Sequence, residues 1–341
     1  MRAVVLKDIK KVSTIDIPEP VIRHEHDVLL HVDAVGMCGS DMHYYNTGRI
    51  GSQLVEYPFI LGHEFGGTVL ATGSAVRRLR PGDRVAIDPA MPCFACDQCL
   101  AGRTHTCRNL TFLGCPGQVS GCLCEQIVMP ESSCFPVPSS ISEEDAALIE
   151  PLSIGCYAVK LSGLTEKSRI LIQGSGPIGL SVLLAAREAG AEYIAVSEPI
   201  AERRECANLL GAEWSGAPEE VDPHLAETDP LGIDMIFECC GKQEAMDQAV
   251  PLFKPGGKLM LIGIPTIDRP SFAIDLLRRK ELCIQNVRRQ NECMEDAINL
   301  LEQQPKCQMM ITHRYTADQA AEAFETVADY KDGIIKAMIR F

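Results

Sequence analysis

The 341-residue sequence has few aromatic residues, 5% with a single tryptophan, and it has no long apolar run. No stretch approaches the roughly 18 uninterrupted apolar residues that a membrane-spanning helix needs. The first residues, MRAVVLKDIKKV, meet charged side chains before the apolar region of a signal peptide could form. We therefore expect a soluble, unexported, cytoplasmic protein without a membrane partner.

Basic residues are fewer than acidic ones. The sequence has 32 Lys and Arg and 46 Asp and Glu, which give a formal net charge of −14. Binding to the phosphates of nucleic acids needs a basic surface, and the only notable basic cluster is RRKELCIQNVRR, residues 278–289. The composition therefore argues against a nucleic-acid partner.

The residues that are abundant describe an ordinary globular protein, with 46% hydrophobic and 23% charged residues. The length suggests two domains, because single cores seldom grow this large. The chain also has 16 cysteines. In a cytoplasmic protein thiols stay reduced, so these cysteines are expected to be metal ligands, catalytic groups or small buried residues.

The pattern along the chain changes near residue 150. Short segments rich in β-branched residues come first, at residues 28–36, 66–73 and 83–88. From about residue 153, apolar strands alternate with helical patterns, with strands at 169–173, 193–197, 233–241 and 256–263. This alternation predicts a parallel, doubly wound sheet. The last 50 residues are too few to bury a core alone, so we expect them to pack on the first domain.

A glycine-rich turn lies between the first predicted strand and helix of the second half. Its G-x-G-x-x-G pattern consists of Gly174, Gly176 and Gly179. Such a turn lets the backbone approach a pyrophosphate at a helix N-terminus. Glu198 ends the next strand, where a carboxylate can bind an adenosine ribose and repel a 2′-phosphate, which favours NAD over NADP. Arg203 and Arg204 could instead hold that phosphate, and a glycine turn with a helix-capping acid is the structural alternative.

Four cysteines follow a metal-binding spacing: Cys93, Cys96, Cys99 and Cys107. Four thiolates in one Pro- and Gly-containing loop can surround a zinc ion completely, which is typical of a structural site. An iron–sulfur cluster or a chance group of buried thiols are the alternatives.

A second set of possible ligands is dispersed along the first half: Cys38, His63, Glu64 and Glu150. A thiolate, an imidazole and a carboxylate leave one open position, which is the pattern of catalytic zinc. Each residue alone has a structural explanation, and only the combination with a nicotinamide-binding half favours a site. The sequence leaves open whether Glu64 or Glu150 is the carboxylate ligand.

These motifs resemble the zinc-dependent medium-chain alcohol dehydrogenase superfamily, and within it the sorbitol and xylitol (polyol) dehydrogenase branch. The resemblance rests on CGSDMH at 38–43, Tyr44, GRIG at 48–51, LGHE at 61–64, the four-cysteine segment, EPLS at 150–153, GSGPIG at 174–179 and GGKLMLIG at 256–263. It implies an α/β protein with a GroES-like, β-rich catalytic domain carrying both zinc sites, residues 1–152 and 290–341. Residues 153–289 would form a Rossmann NAD-binding domain. The resemblance also implies that the protein is a homodimer or homotetramer.

The resemblance also implies roles for individual residues. Ser40 would take the alcohol proton and pass it by the nicotinamide ribose to His43, while Asp41 would orient His63. Substrate-facing positions would be Tyr44, Ile50 and Arg288. The residues predicted to bind the cofactor are Gly174, Gly176, Pro177, Ile178, Gly179, Glu198, Arg203, Cys240, Gly263 and Ile264.

The function that follows is hydride transfer between a secondary hydroxyl of a polyol and NAD, assisted by one catalytic and one structural zinc per chain. One alternative is an L-threonine 3-dehydrogenase-like enzyme or another secondary-alcohol dehydrogenase. The other is a non-catalytic binding or structural protein that retains the fold, against which the joint presence of Cys38, Ser40, His43, His63 and Glu150 argues.

Overall fold

The computed structural model describes residues 1–265 and 267–341, which divide into two compact units. The first unit comprises Met1–Glu150 and Ala297–Phe341, and the second comprises Pro151–Asp296. Among these residues no helix has the length and apolar character needed to cross a membrane.

The N-terminal part of the first unit is rich in short strands, as the β-branched segments predicted. Its strands are β1 (Arg2–Asp8), β2 (Lys11–Asp16), β3 (Asp27–Gly36), β4 (Arg49–Ile50), β5 (Gln53–Leu54), β6 (Phe59–Ile60), β7 (Glu64–Thr72), β8 (Arg84–Ile87), β9 (Ala90–Met91), β10 (Thr111–Phe112), β11 (Gln126–Pro130) and β12 (Cys134–Pro136). Its helices are α1 (Gly39–Thr47), α2 (Asp97–Leu100) and α3 (Glu143–Ser162), the last of which continues into the second unit.

The second unit alternates strands and helices. They are β13 (Arg169–Gln173), α4 (Pro177–Glu188), β14 (Tyr193–Ser197), α5 (Ala201–Leu210), β15 (Trp214–Gly216), α6 (Pro218–Thr228), β16 (Ile233–Glu238), α7 (Gln243–Leu252), β17 (Phe253–Leu261), α8 (Ile274–Arg279) and β18 (Cys283–Asn286). The strands form one parallel sheet in the order β15-β14-β13-β16-β17-β18. The order reverses direction between β13 and β16, which is where doubly wound sheets bind ligands at the carboxyl ends of their strands.

The C-terminal segment returns to the first unit. It contains α9 (Met294–Gln303), β19 (Ile311–Thr316), α10 (Ala320–Ala328) and β20 (Lys336–Arg340). The main sheet of the first unit has the order β12-β8-β7-β3-β20-β19, and β11 also pairs with β3. Strand β20 runs antiparallel to β3 and pairs Met338 with Gly36. The return of the tail therefore places the last strand beside the end of β3, directly before Cys38.

Short 3₁₀ helices connect several of these elements, at Thr104–Thr106, Glu131–Ser133, Pro305–Met310, Ala317–Gln319 and Lys331–Gly333. The core of the first unit contains β-strand side chains together with Tyr44, Tyr45 and Phe324. In the second unit, apolar side chains of the parallel strands pack with residues of α6 and α7, including Val221, Leu225 and Ala249.

Candidate active site

Three of the dispersed residues meet in the first unit. Cys38 follows β3, whereas His63 and Glu64 lie at the start of β7, which pairs with β3. One ligand atom from each of the three lies within 4.8 Å of the others. His63 and Glu64 are buried, and Cys38 is partly exposed. A thiol, an imidazole and a carboxylate at this spacing fit a divalent cation of the zinc type and would leave one of its four positions for a further ligand.

The electrostatics of this cluster are compatible with a bound cation. Burial and the Glu64 carboxylate raise the pKa of the Cys38 thiol well above its usual value. Acidic groups gathered in a buried place repel one another when they ionise. A metal ion would reverse that preference, because a coordinated thiol loses its proton outright.

Asp41 ties the two ligand segments together through the backbone. Its Oδ2 accepts a hydrogen bond from the Cys38 N–H at 3.1 Å, and its Oδ1 accepts one from the Gly62 N–H at 3.2 Å. The Nδ1 atom of His63 lies 3.8 Å from Oδ1, which exceeds a hydrogen-bond distance. The geometry described here therefore makes Asp41 a link between Cys38 and Gly62, and an orienting bond to His63 would require a closer approach.

Glu150 is a buried carboxyl group on α3, directly before the helix proline Pro151. Burial, reinforced by the nearby charge of Glu64, raises the pKa of Glu150 to about 8. Among the residues the structure describes, the set within 4.8 Å contains Glu64 and omits Glu150. The geometry thus groups Glu64 with Cys38 and His63, while Glu150 lies outside that set and is close enough to feel the charge of Glu64.

The predicted proton-transfer residues share helix α1. Ser40 and His43 are both partly exposed and stand three residues apart, on one face of the helix. Burial lowers the pKa of His43 below its ordinary value.

The predicted substrate residues occupy different places. Tyr44 is buried in the core and donates a hydrogen bond to Gln53 Oε1 at 3.1 Å. Ile50 ends β4 and packs partly against the same core. Arg288 is exposed after β18 in the second unit.

The four-cysteine segment surrounds a small space beside α2. The Sγ atoms of Cys93 and Cys107 lie 3.4 Å apart, and those of Cys96 lie 3.6 Å from Cys99 and 3.8 Å from Cys107. A zinc tetrahedron with metal–sulfur distances of about 2.3 Å has sulfur–sulfur edges of about 3.8 Å. Hydrogen bonds from backbone N–H groups, first that of Ala95, lower the pKa of Cys93 to about 6. The donor set therefore fits a closed zinc site.

The glycine turn of the second unit has the geometry its sequence predicted. Gly174 has φ +92°, and its N–H donates to Ser197 O at 2.7 Å. Helix α4 begins at Pro177 and continues through Ile178, with Gly176 as its N-cap. A Cβ on Gly179 would lie 1.8 Å from Gly174 O. The close packing of turn and helix thus requires glycine at 179, at the N-terminal end of α4, where a pyrophosphate would bind.

Glu198 lies at the carboxyl end of β14 and is buried. Its Oε2 accepts a hydrogen bond from Ser175 N–H at 2.8 Å, and its Oε1 accepts one from Ile200 N–H at 3.0 Å. Oε2 also accepts a longer hydrogen bond from Ser175 Oγ at 3.5 Å. Because a carboxylate oxygen has two lone pairs, Oε1 can accept a further bond. Arg203 approaches the same turn, since its Nη1 would be 3.6 Å from a Cβ on Gly176.

A third segment at this sheet edge follows β16. Its Glu238 was not predicted from the sequence, although an acid at the end of an apolar strand was a usable signal. Glu238 Oε1 accepts hydrogen bonds from the N–H groups of Cys240, at 2.8 Å, and Gly241. A Cβ on Gly263 would lie 2.8 Å from Oε2. The buried carboxylate therefore shapes both loops that carry the predicted residues Cys240, Gly263 and Ile264.

Lys336 is the second residue that sequence reasoning missed. It is the first residue of β20 and is only 1% exposed. Its Nζ donates to Glu64 Oε2 at 2.5 Å and to Met37 O at 3.0 Å. The signal was a lone lysine inside the apolar segment GIIKAMIRF.

Comparison with known proteins supports the predicted assignment of each half of the chain. A family model of the alcohol dehydrogenase GroES-like domain matches residues 24–139, and a zinc-binding dehydrogenase model matches residues 177–303. Sorbitol dehydrogenase of Bacillus subtilis (strain 168) is 35% identical, covering 99% of this chain and 97% of that protein. L-idonate 5-dehydrogenase of Vitis vinifera is 34% identical over 89% of this chain and 85% of its own.

Solved structures give the same result. Galactitol-1-phosphate dehydrogenase from Escherichia coli matches with a TM-score of 0.91 and 28% identity over the whole of both chains. A zinc-binding dehydrogenase from Sinorhizobium meliloti 1021, bound to NADP, has a TM-score of 0.88 and 30% identity over 100% and 99% of the two chains. An alcohol dehydrogenase from E. coli CFT073, complexed with NADH, has a TM-score of 0.89 and 26% identity over the same shares.

The chain therefore belongs to the zinc-binding alcohol dehydrogenase family, with a GroES-like domain and a Rossmann-like domain. Within that family it is an alcohol or polyol dehydrogenase, which acts on a small-molecule alcohol with zinc and a nicotinamide cofactor. The predicted family, fold class and enzyme class are confirmed.

Proposed function

We propose that this enzyme oxidises a secondary hydroxyl of a sugar alcohol or related polyol, with NAD as the hydride acceptor. The observation that carries the proposal is the contrast between two metal-binding sets in one unit. The four-cysteine set offers four ligands, whereas the set of Cys38, His63 and Glu64 offers three and would leave one position of a tetrahedral metal for a further ligand. Closed sets stabilise a fold, and open ones bind a reacting group.

In this proposal the open set holds the catalytic zinc and the four cysteines hold a structural zinc. Glu64 is the direct carboxylate ligand, because its oxygen lies with Cys38 and His63. Glu150 is a second, neighbouring acid that influences the charge of the site. When bound, zinc supplies Lewis acidity at the substrate oxygen and the nicotinamide ring takes the hydride.

The proton of the substrate hydroxyl leaves by helix α1. Ser40 Oγ would accept that proton as it gives up its own, and the His43 ring would be the group that finally releases a proton to water. An imidazole that accepts a proton must be neutral at the working pH of the enzyme. Burial lowers the pKa of His43 and so keeps the imidazole neutral and able to accept.

The preference for NAD rests on Glu198. Its carboxylate lies at the carboxyl end of β14, against the glycine turn, where it would repel a 2′-phosphate. Arg203 lies close to the same turn and would pair with the cofactor pyrophosphate. Replacement of Glu198 by Ala should therefore reduce the ratio of kcat/KM for NAD over NADP by about tenfold or more, which corresponds to roughly 1.4 kcal/mol. A wild-type enzyme that prefers NADP would contradict this assignment.

The decisive experiment combines metal analysis with a substrate screen. We expect two zinc ions per chain and NAD reduction with sorbitol, xylitol or galactitol in preference to threonine and simple secondary alcohols. The Cys38→Ser variant should keep one zinc and lose turnover of every alcohol. Cys283→Ser, at an exposed position of β18, is the matched control and should retain both. Full turnover by Cys38→Ser, or a preference for threonine, would overturn the proposal.

A further inference from the structure

The C-terminal strand contributes a buried cation to the proposed metal site. Strand β20 consists of apolar residues except at its two ends, and Lys336 is as buried as the apolar side chains beside it. A charged group in such a place is costly unless it is paired. Its partner is Glu64, which is also only 1% exposed.

The lysine is held at two points. Its Nζ donates to Glu64 Oε2 at 2.5 Å and to the Met37 carbonyl at 3.0 Å, next to Cys38. Gly36 leaves room for this pair, since a Cβ there would lie 2.6 Å from Glu64 Oε2 and 3.5 Å from Lys336 Cδ. The Met37 carbonyl therefore anchors the ammonium group of Lys336, and the ammonium group in turn holds Oε2 of Glu64.

The carboxylate that holds Lys336 belongs to the candidate ligand set. Glu64 is one of three residues whose ligand atoms lie within 4.8 Å of one another. The cation is thus bonded to one proposed ligand, Glu64, and to the Met37 carbonyl, which directly precedes another proposed ligand. When a metal ion enters the site, one of the two carboxylate oxygens of Glu64 already accepts a hydrogen bond from Lys336.

We propose that Lys336 is a positioning residue that withholds Oε2 of Glu64 from the metal and so makes Glu64 a ligand through Oε1 alone. A carboxylate can bind a metal through one or both oxygens, and a second oxygen would fill the position that the substrate needs. The lysine thereby keeps the site open. This inference rests on the proposed metal site at Cys38, His63 and Glu64.

The first test is a crystal structure of the zinc-loaded wild-type enzyme. One Glu64 oxygen should lie about 2.0–2.2 Å from the metal, with Lys336 Nζ still bonded to the other. A metal bound there by both Glu64 oxygens, or a Lys336 side chain turned away, would overturn the role of Lys336 alone. A site without metal would overturn the proposed ligand set as well.

The second test replaces the lysine and follows the coordination number. In Lys336→Met, cobalt exchanged into the site should show visible absorption weaker by about twofold or more than in wild type, because five-coordinate cobalt absorbs less than tetrahedral cobalt. Subtracting the spectrum of cobalt-treated Cys38→Ser removes the four-cysteine contribution. Arg340→Met is the matched control, since it breaks the β20 ion pair with Glu144 at 2.9 Å, away from the site. Its spectrum should equal that of wild type, and an unchanged spectrum in Lys336→Met would refute the proposal. Should Lys336→Met fail to fold, the crystal structure still decides.

Discussion

Glu150 predicts an unusual pH dependence of stability in the metal-free protein. Burial and the charge of Glu64 raise its pKa from an ordinary 4.5 to about 8 in the folded state. Between these values the folded chain keeps a proton that the unfolded chain has lost. The stability that protonated Glu150 contributes to the folded state is fully present below about pH 4.5 and is lost as the pH rises toward about 8. The difference between the two pKa values corresponds to at most about 5 kcal/mol of the free energy of unfolding, because each pKa unit is worth about 1.4 kcal/mol.

The measurement is urea unfolding of zinc-depleted protein at several pH values, compared with the Glu150→Gln variant. Glutamine keeps the shape and stays neutral, so titrations that are independent of Glu150 cancel in the difference between the two proteins. Wild type should match the variant near pH 5 and become less stable than the variant as the pH approaches 8. Added zinc should reduce this divergence, because its charge favours the ionised carboxylate. A difference that stays constant with pH, or that grows in favour of wild type, would refute the reasoning.

Two further predictions concern the structural lobe and the glycine turn. Replacing Cys107, whose Sγ lies 3.4 Å from that of Cys93, by Ser should remove one of two zinc ions per chain and lower the unfolding temperature by roughly 5–15 °C; metal analysis that still finds two zinc ions would count against the site. Replacing Gly179 by Ala puts a Cβ 1.8 Å from Gly174 O, so the turn must move and NADH should bind at least about tenfold more weakly, as titration calorimetry would measure. Unchanged NADH affinity would exclude the turn as the pyrophosphate site.

Much of the fold follows from local sequence patterns. The strands at 169–173 and 193–197 occur with the predicted bounds, because a buried parallel strand is a continuous apolar run. The predicted strand 233–241 ends earlier, at Glu238, where the carboxylate binds the N–H groups of Cys240 and Gly241 and turns the chain. A capping bond of this kind depends on the folded loop, so periodicity gives no sign of it.

The proposed metal ligands divide in the same way. The four cysteines lie within 15 residues, so their spacing alone indicates that they can surround one ion. Cys38 and His63 are brought together by the pairing of β3 with β7, which a sequence motif suggests only by resemblance. The sequence left Glu64 and Glu150 equivalent, and only their positions in the folded unit separate them.

The sequence by itself determined the class of fold, the glycine turn and the four-cysteine set, because each follows from local spacing or from a strand and helix period. Only the tertiary structure decided that Glu64 rather than Glu150 lies with Cys38 and His63, and that Lys336, 272 residues beyond Glu64, lies against it. The physical reason is that β20 pairs with β3. The charge balance of a buried site depends on which distant strands meet there, and no local pattern records that.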